Sequence, residues 1–197
     1  MNTPSHAILN VALLSSISPL AGAIAFGAIL PDLPIFGFYI WAKWIDRLPE
    51  QKIWGEAYYS PIVQDLVAFF HSIPIALFAW SIAFFAGWDI AQVVFLSCIL
   101  HSLGDLPVHN NDAHRHFFPL TDYRFISPIS YWDPKHYGSI VSAVEFGLVL
   151  MATVWIFPRT EFWLAKVLLV AVNGLYGWGY YRHYGRSRQR VKRQTQE

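Results

Sequence analysis

Residues 7–30 read AILNVALLSSISPLAGAIAFGAIL, and the fold turns on how this stretch is interpreted. It is long and apolar enough to cross a bilayer as one helix. Ser15-Ser16-Ile17-Ser18-Pro19 in its middle argues otherwise. Proline removes a helix hydrogen bond, and the residue before it is pushed away from helical angles. The expectation is two short helices, roughly 4–17 and 19–30, each spanning about 20 Å at 1.5 Å per residue. Such a pair is a re-entrant or packed hairpin that other helices must cover. Ala21-Gly22-Ala23 imitates a signal-peptidase site. No Lys or Arg precedes the apolar run, so a cleaved signal peptide is the lesser reading.

Outward from this hairpin the chain stays apolar. Of its 197 residues 55% are hydrophobic, 17% aromatic and only 14% charged, against about 25% charged in a soluble domain. Mean hydropathy is +0.35. Disorder, collagen and coiled coil are excluded, and a polytopic membrane protein is expected. Four later segments read as helices: Leu66 to Ala86, Ile90 to Gly104, Ser139 to Phe157 and Phe162 to Tyr181. Gly87-Trp88-Asp89 and Pro158-Arg159-Thr160 join them as two antiparallel hairpins. The fold class is all-α: a multi-pass bundle of about four spanning helices plus the N-terminal hairpin. Residues 1–181 form one membrane-embedded domain with a long loop at 105–138. Residues 182–197 form a basic tail. The one cysteine, Cys98, excludes an intramolecular disulfide and a Cys-rich zinc site.

Twelve basic residues fall on one face of this arrangement: Lys43, Arg47, Lys52, Arg115, Arg124, Lys135 and the six between Arg182 and Arg193. The other face receives Arg159, with Lys166 able to snorkel toward it. The positive-inside rule makes the first face cytoplasmic. The tail reads as an anchor to anionic lipid, and no fold motif supports a nucleic-acid partner.

The chemistry-bearing residues converge on that face. Five of eight histidines lie between His101 and His136, together with Asp105, Asp112, Asp122 and Asp133. His6 opens the first short helix, Asp32 closes the second, His71 starts the third, His101 and Asp105 end the fourth, and His136 precedes the fifth. A straight first helix would instead separate His6 from Asp32 by roughly 39 Å. His101-x-x-x-Asp105 is an i, i+4 pair on one helical face. Imidazole and carboxylate suit zinc, manganese or iron. Each residue also has a structural reading: a capped turn at Asp32, a carbonyl partner for His71, a hydrogen-bonded pair at 101 and 105. In His114-Arg115-His116 at least one ring is expected to be solvated or structural.

The order His6, Leu30-Pro31-Asp32, His71-Ser72 and Leu100-His101-Ser102-Leu103-Gly104-Asp105-Leu106-Pro107-Val108-His109 resembles the bacterial membrane-bound metal-dependent hydrolases. That family is similar in motif to the zinc-dependent phospholipase C and P1 nuclease superfamily. The resemblance implies an arrangement of helices around two or three Zn2+ ions, with Mn or Fe as substitutes. It implies ligands among His6, Asp32, His71, His101, Asp105 and His109, with His114 as the alternative to His109, and His136. The family's late His-x3-Glu or His-x3-Asp pair is absent: Ile140 stands four residues after His136, and Glu145 nine.

The implied activity is hydrolysis of a phosphoester, such as a phospholipid or another small amphiphile, by metal-activated water. Asp105 or Asp32 would bridge the ions. Arg115 or Arg124 would clamp phosphate, and Asp112 or Asp133 would orient the water or accept its proton. Tyr131 and Trp132 would line the entrance. Two alternatives stay open. One is a membrane di-iron lipid oxidase of the desaturase kind, although no His-x3-His or His-x2-His-His box is present. The other is a non-catalytic membrane protein with a structural metal.

Overall fold

The computed structural model describes residues 1–185. The basic positions from Arg186 to Arg193 lie outside the described residues. Among the described residues every regular element is helical.

Helix α1 (Thr3–Leu14) turns at Ser15–Leu20 into α2 (Ala21–Ile29), so the proline break divides the first apolar stretch as its sequence requires. The second arm does not end at residue 30. A 3-10 turn (Leu30–Asp32) leads directly into α3 (Leu33–Ile40), and a wide π turn (Trp41–Ile45) follows. Helical backbone thus runs from 21 to 45, and Asp32 sits midway along it rather than at its end. Pro31 and Pro34 do not stop the chain because each is the second residue of its own short segment, where the missing N–H has no partner to lose. A short α4 (Glu50–Gly55) and a 3-10 turn lead to the third apolar stretch.

That stretch is also broken. Helix α5 (Pro61–Phe70) and α6 (Ile73–Phe85) meet at 44° across His71 and Ser72. Ser72 caps α6 by accepting from Ile75 N–H at 3.1 Å, and Pro74 occupies the first turn. The backbone groups freed by the break find partners. Ile73 N–H donates to His116 O at 2.9 Å, Ser102 Oγ to His71 O at 2.9 Å, and Ser72 Oγ to Phe118 O. A break in an apolar helix survives only with such replacements.

Helix α7 (Asp89–Asp105), α8 (Gly138–Ile156) and α9 (Trp163–Tyr180) complete the bundle. Helices α2 and α7 approach closely at Gly27, where a Cβ would lie 2.2 Å from Val94 O. This is the small-residue contact by which apolar helices pack inside lipid. Among the described residues three helical runs are long and apolar enough to cross a membrane: Ala21–Ile45, Asp89–Val108 and Gly138–Arg159. The bent α5–α6 pair makes a fourth if it is one span. The number is three, or the expected four with the bent pair, and the membership differs. The 21–45 run qualifies, whereas α9 does not, because Lys166, Asn173 and a Gly- and Tyr-rich end lower its hydropathy.

Burial is inverted relative to a soluble protein. Phe85 is 87% exposed, Ile62 76% and Val154 68%, whereas His6, His71 and His101 are fully buried. Apolar exterior and polar interior together fit an apolar surrounding. The largest apolar core is small, with Ile8 of α1 against Val149, Ala152 and Ile156 of α8 and Leu169 of α9.

Candidate metal centre

The i, i+4 ladder of α7 organises the centre. Ser97, His101 and Asp105 share one face, each at most 2% exposed. Ser97 Oγ donates to Ile24 O at 2.7 Å and accepts from Asn10 of α1 at 2.9 Å. His101 Nδ1 lies 2.6 Å from Ala28 O. A carbonyl accepts only, so Nδ1 carries a proton and Nε2 is the ring nitrogen turned to the centre. His71 repeats the device, with Nδ1 2.9 Å from Val67 O.

Both Nε2 atoms face carboxylates. His101 Nε2 lies 3.1 Å from Asp105 Oδ2 and 3.7 Å from Asp32 Oδ1. His71 Nε2 lies 3.4 Å from Asp32 Oδ1 and 3.9 Å from Asp105 Oδ2. Neither Nε2 has a hydrogen-bond partner among the described residues. Two ring nitrogens and two carboxylate oxygens thus face one another inside the bundle. Metal–nitrogen and metal–oxygen bonds of about 2.0–2.1 Å place adjacent tetrahedral ligands about 3.3 Å apart. The donor set therefore fits a cation. These buried His and Asp groups could hold a metal ion, with His114 completing one group beside His71 and Asp105, and His6 another beside His101 and Asp105.

A second cluster surrounds Asp105 Oδ1. His6 Nε2 lies 2.9 Å away, His109 Nε2 3.1 Å and the Met1 amino nitrogen 2.5 Å. The amino group is also 3.1 Å from His109 Nε2. Asp112 Oδ2 stands 3.1 Å from His109 Nδ1 and accepts from Trp132 Nε1 at 3.0 Å. Burial disfavours the charged His109 ring, but the Asp105 charge and the hydrogen bonds to both carboxylates win and raise its pKa to about 9. Burial likewise works against ionised Asp112, yet His109 and Trp132 hold its carboxyl below the usual range. His114 goes the other way: burial, then the charges of His71 and His109, keep it neutral.

The structure thus brings together His6, Asp32, His71, His101, Asp105, His109 and His114, with Asp112 directly behind His109. It does not bring His136, Asp133 or Arg115 to them. His136 Nδ1 pairs with Asp133 Oδ2 at 2.8 Å at the entry to α8. Arg115 bridges Asp65 of α5 at 2.5 Å and Asp122 at 2.8 Å, strapping the loop to α5. Arg124 is spent on Ala113 O and Gln64. Glu145 does not replace the missing late ligand, because its Oε1 accepts from Asn2 and Ser5.

Thr3 and Asn10 carry no expectation from sequence, whereas His116 is the structural ring expected within His114-Arg115-His116. Thr3 Oγ1 donates to Asp32 Oδ2 at 2.5 Å. His116 is 2% exposed and caps the α5–α6 break. Asn10 ties α1 to α7. A polar residue inside an apolar helix was the available signal for Asn10; nothing comparable marks Thr3.

A cavity of about 460 Å³ opens over the cluster. Its floor includes Asp32, Asp105, His109, Asp112 and His114, and its walls include Phe36, Trp54, Tyr58, Tyr131 and Trp132. Compared with protein-family models, with curated proteins and with solved structures, the chain matches none.

Proposed function

We propose that the chain is a membrane-embedded, metal-dependent hydrolase acting on a phosphoester of an amphiphilic molecule. One observation carries the reading. Two buried imidazole nitrogens without hydrogen-bond partners, His71 Nε2 and His101 Nε2, face two buried carboxylates, Asp32 and Asp105, within 3.1–3.9 Å. Mixed nitrogen and oxygen ligands favour zinc, with manganese or iron as substitutes. His6 with His101 and Asp105, and His114 with His71 and Asp105, are the places for further ions, and the resemblance to the membrane-bound metal-dependent hydrolases supports two or three.

A metal held there supplies an activated water and neutralises charge developing on a phosphoryl oxygen. The chain's own residues do the remainder. Thr3 fixes the rotamer of Asp32. Asp112 orients His109 and presents a buried, unpartnered Oδ1 beside the cavity, where it can take a proton. Phe36, Trp54, Tyr58 and Trp132 pack the apolar part of the substrate and keep water away. Arg115 and Asp133 act outside this centre, on the loop. In this reading the protein is a multi-pass component of the bacterial inner membrane, with the centre toward the cytoplasm.

The test is metal content. Protein purified in mild detergent without a His-tag should carry zinc at one or more ions per chain, with less in Asp105→Asn, and should hydrolyse phosphoester substrates. Two irons per chain would replace hydrolysis by oxidase chemistry. No metal in the folded wild type would overturn the proposal.

A further inference from the structure

We infer that Glu145 is a positioning residue for the metal centre: it clamps the first turn of α1 so that Thr3 and His6 reach the two carboxylates. The inference rests on the metal reading above.

Glu145 is the one charged residue of α8 and is 3% exposed. A carboxylate in the middle of an apolar span is costly to insert, and such residues are retained for a purpose. Its purpose is not ligation. Oε1 accepts three hydrogen bonds, all from the start of the chain: Asn2 N–H at 2.9 Å, Asn2 Nδ2 at 3.0 Å and Ser5 Oγ at 2.5 Å. Ser5 Oγ also meets Tyr176 OH of α9 at 2.9 Å. The C-terminal hairpin contributes no ligand to the cluster, yet through these contacts it grips the segment that does.

Helix periodicity makes the grip consequential. Residues three apart share a face of a helix. Asn2 and Ser5 turn toward α8. Thr3 and His6, one position on, turn toward Asp32 and Asp105. A rotation of α1 about its axis would carry both faces together. Further along, Ile8 packs on Val149, Ala152 and Ile156, but apolar packing is non-directional and tolerates such rotation. The hydrogen bonds at Glu145 do not, because their distances and angles are narrow. Asn10 holds the third turn of α1 to Ser97 of α7, and Glu145 sets the register of the first turn, which carries Thr3 and His6, against the centre.

The experiment compares wild type with Glu145→Leu, Glu145→Gln, Ser5→Ala and Val149→Ala. Val149→Ala thins the same α1–α8 contact without touching a hydrogen bond. Zinc affinity is read by competition with a chromophoric chelator. Hydrogen exchange of the peptide covering residues 2–10 is read in metal-free protein. Outer-layer partners of metal ligands typically contribute 10–100-fold in affinity. Glu145→Leu should lose about that much and speed exchange of the 2–10 peptide. Glu145→Gln, which keeps Oε1, should stay within about 3-fold, and Ser5→Ala should fall between. Should Glu145→Leu fail to fold, Ser5→Ala and Glu145→Gln decide. Wild-type affinity in Glu145→Leu, or equal losses in Glu145→Leu and Val149→Ala, would overturn the inference. If wild type binds no zinc, the metal reading fails on that result. The exchange data then decide the clamp alone: selective loosening in Glu145→Leu supports it, and none overturns it.

Discussion

Thr3→Val isolates one hydrogen bond at the proposed metal centre. Thr3 Oγ1 donates to Asp32 Oδ2 at 2.5 Å, leaving Oδ1 directed at His71 and His101. Valine matches threonine in shape and branching, so the first turn of α1 keeps its packing while the donor is lost. A hydrogen bond to a charged acceptor contributes about 1.5–3 kcal/mol. The Asp32 side chain retains 13% exposure, so water replaces part of the lost donor. The lower portion of that range, about 1.5–2 kcal/mol, therefore applies. At about 1.4 kcal/mol per factor of ten, metal affinity should fall roughly 10–30-fold. Thr3→Ser keeps the hydroxyl and should stay within about 3-fold on the same scale. The assay is zinc competition with a chromophoric chelator in detergent, with thermal melts confirming that both variants are folded. Thr3→Val binding within 2-fold of wild type, or Thr3→Ser as weak as Thr3→Val, would show that Asp32 needs no such support.

Asp105→Asn should lose at least one metal per chain by elemental analysis, because its two oxygens face both clusters. Asp133→Asn should leave metal content unchanged, since its partner is His136 at the entry to α8. Gly27→Ala should be less stable than wild type by about 1–3 kcal/mol, the usual effect of overpacking. A Cβ there meets backbone at 2.2 Å, whereas Gly22→Ala meets open space and should melt as wild type does. Burial, then the charge of His71, lowers His116 to about 4, against an unfolded value near 6.5. Its contribution is complete above pH 6.5 and is lost as pH falls from there to about 4. Melting of metal-free His116→Gln should therefore depend less on pH between 7 and 5 than wild type does.

The sequence makes the hairpin of α1 and α2 legible because a proline preceded by three serines within four residues disfavours a continuous helix. The His101–Asp105 ladder is legible for a similar reason: a fixed spacing on an apolar helix has one geometric outcome. The break at His71 was obscured by unbroken hydrophobicity, although Ser72 followed by Pro74 is a helix-start signal that the run of apolar residues masks. The continuation of α2 through Asp32 into α3 was misjudged for the opposite reason. Two closely spaced prolines look like a stop, but each occupies a position where helices accept proline. Asn2, Thr3 and Glu145 could not be read at all, since their partners lie far away in sequence and only the packing of α1 between α7 and α8 brings them together.

That packing bears on how the protein is made. Helix α1 has 12 residues, about 18 Å at 1.5 Å per residue, well short of a bilayer core of about 30 Å. It cannot be retained in lipid by its own hydrophobicity while it carries Ser5, His6 and Asn10. It packs at once on α2, but the helices that cover its polar residues begin only at Asp89 and Gly138. Ser5 and Asn10 of α1 therefore find their partners only after α7 and α8 have followed it, and loading of the proposed centre would report that insertion through α8 is finished.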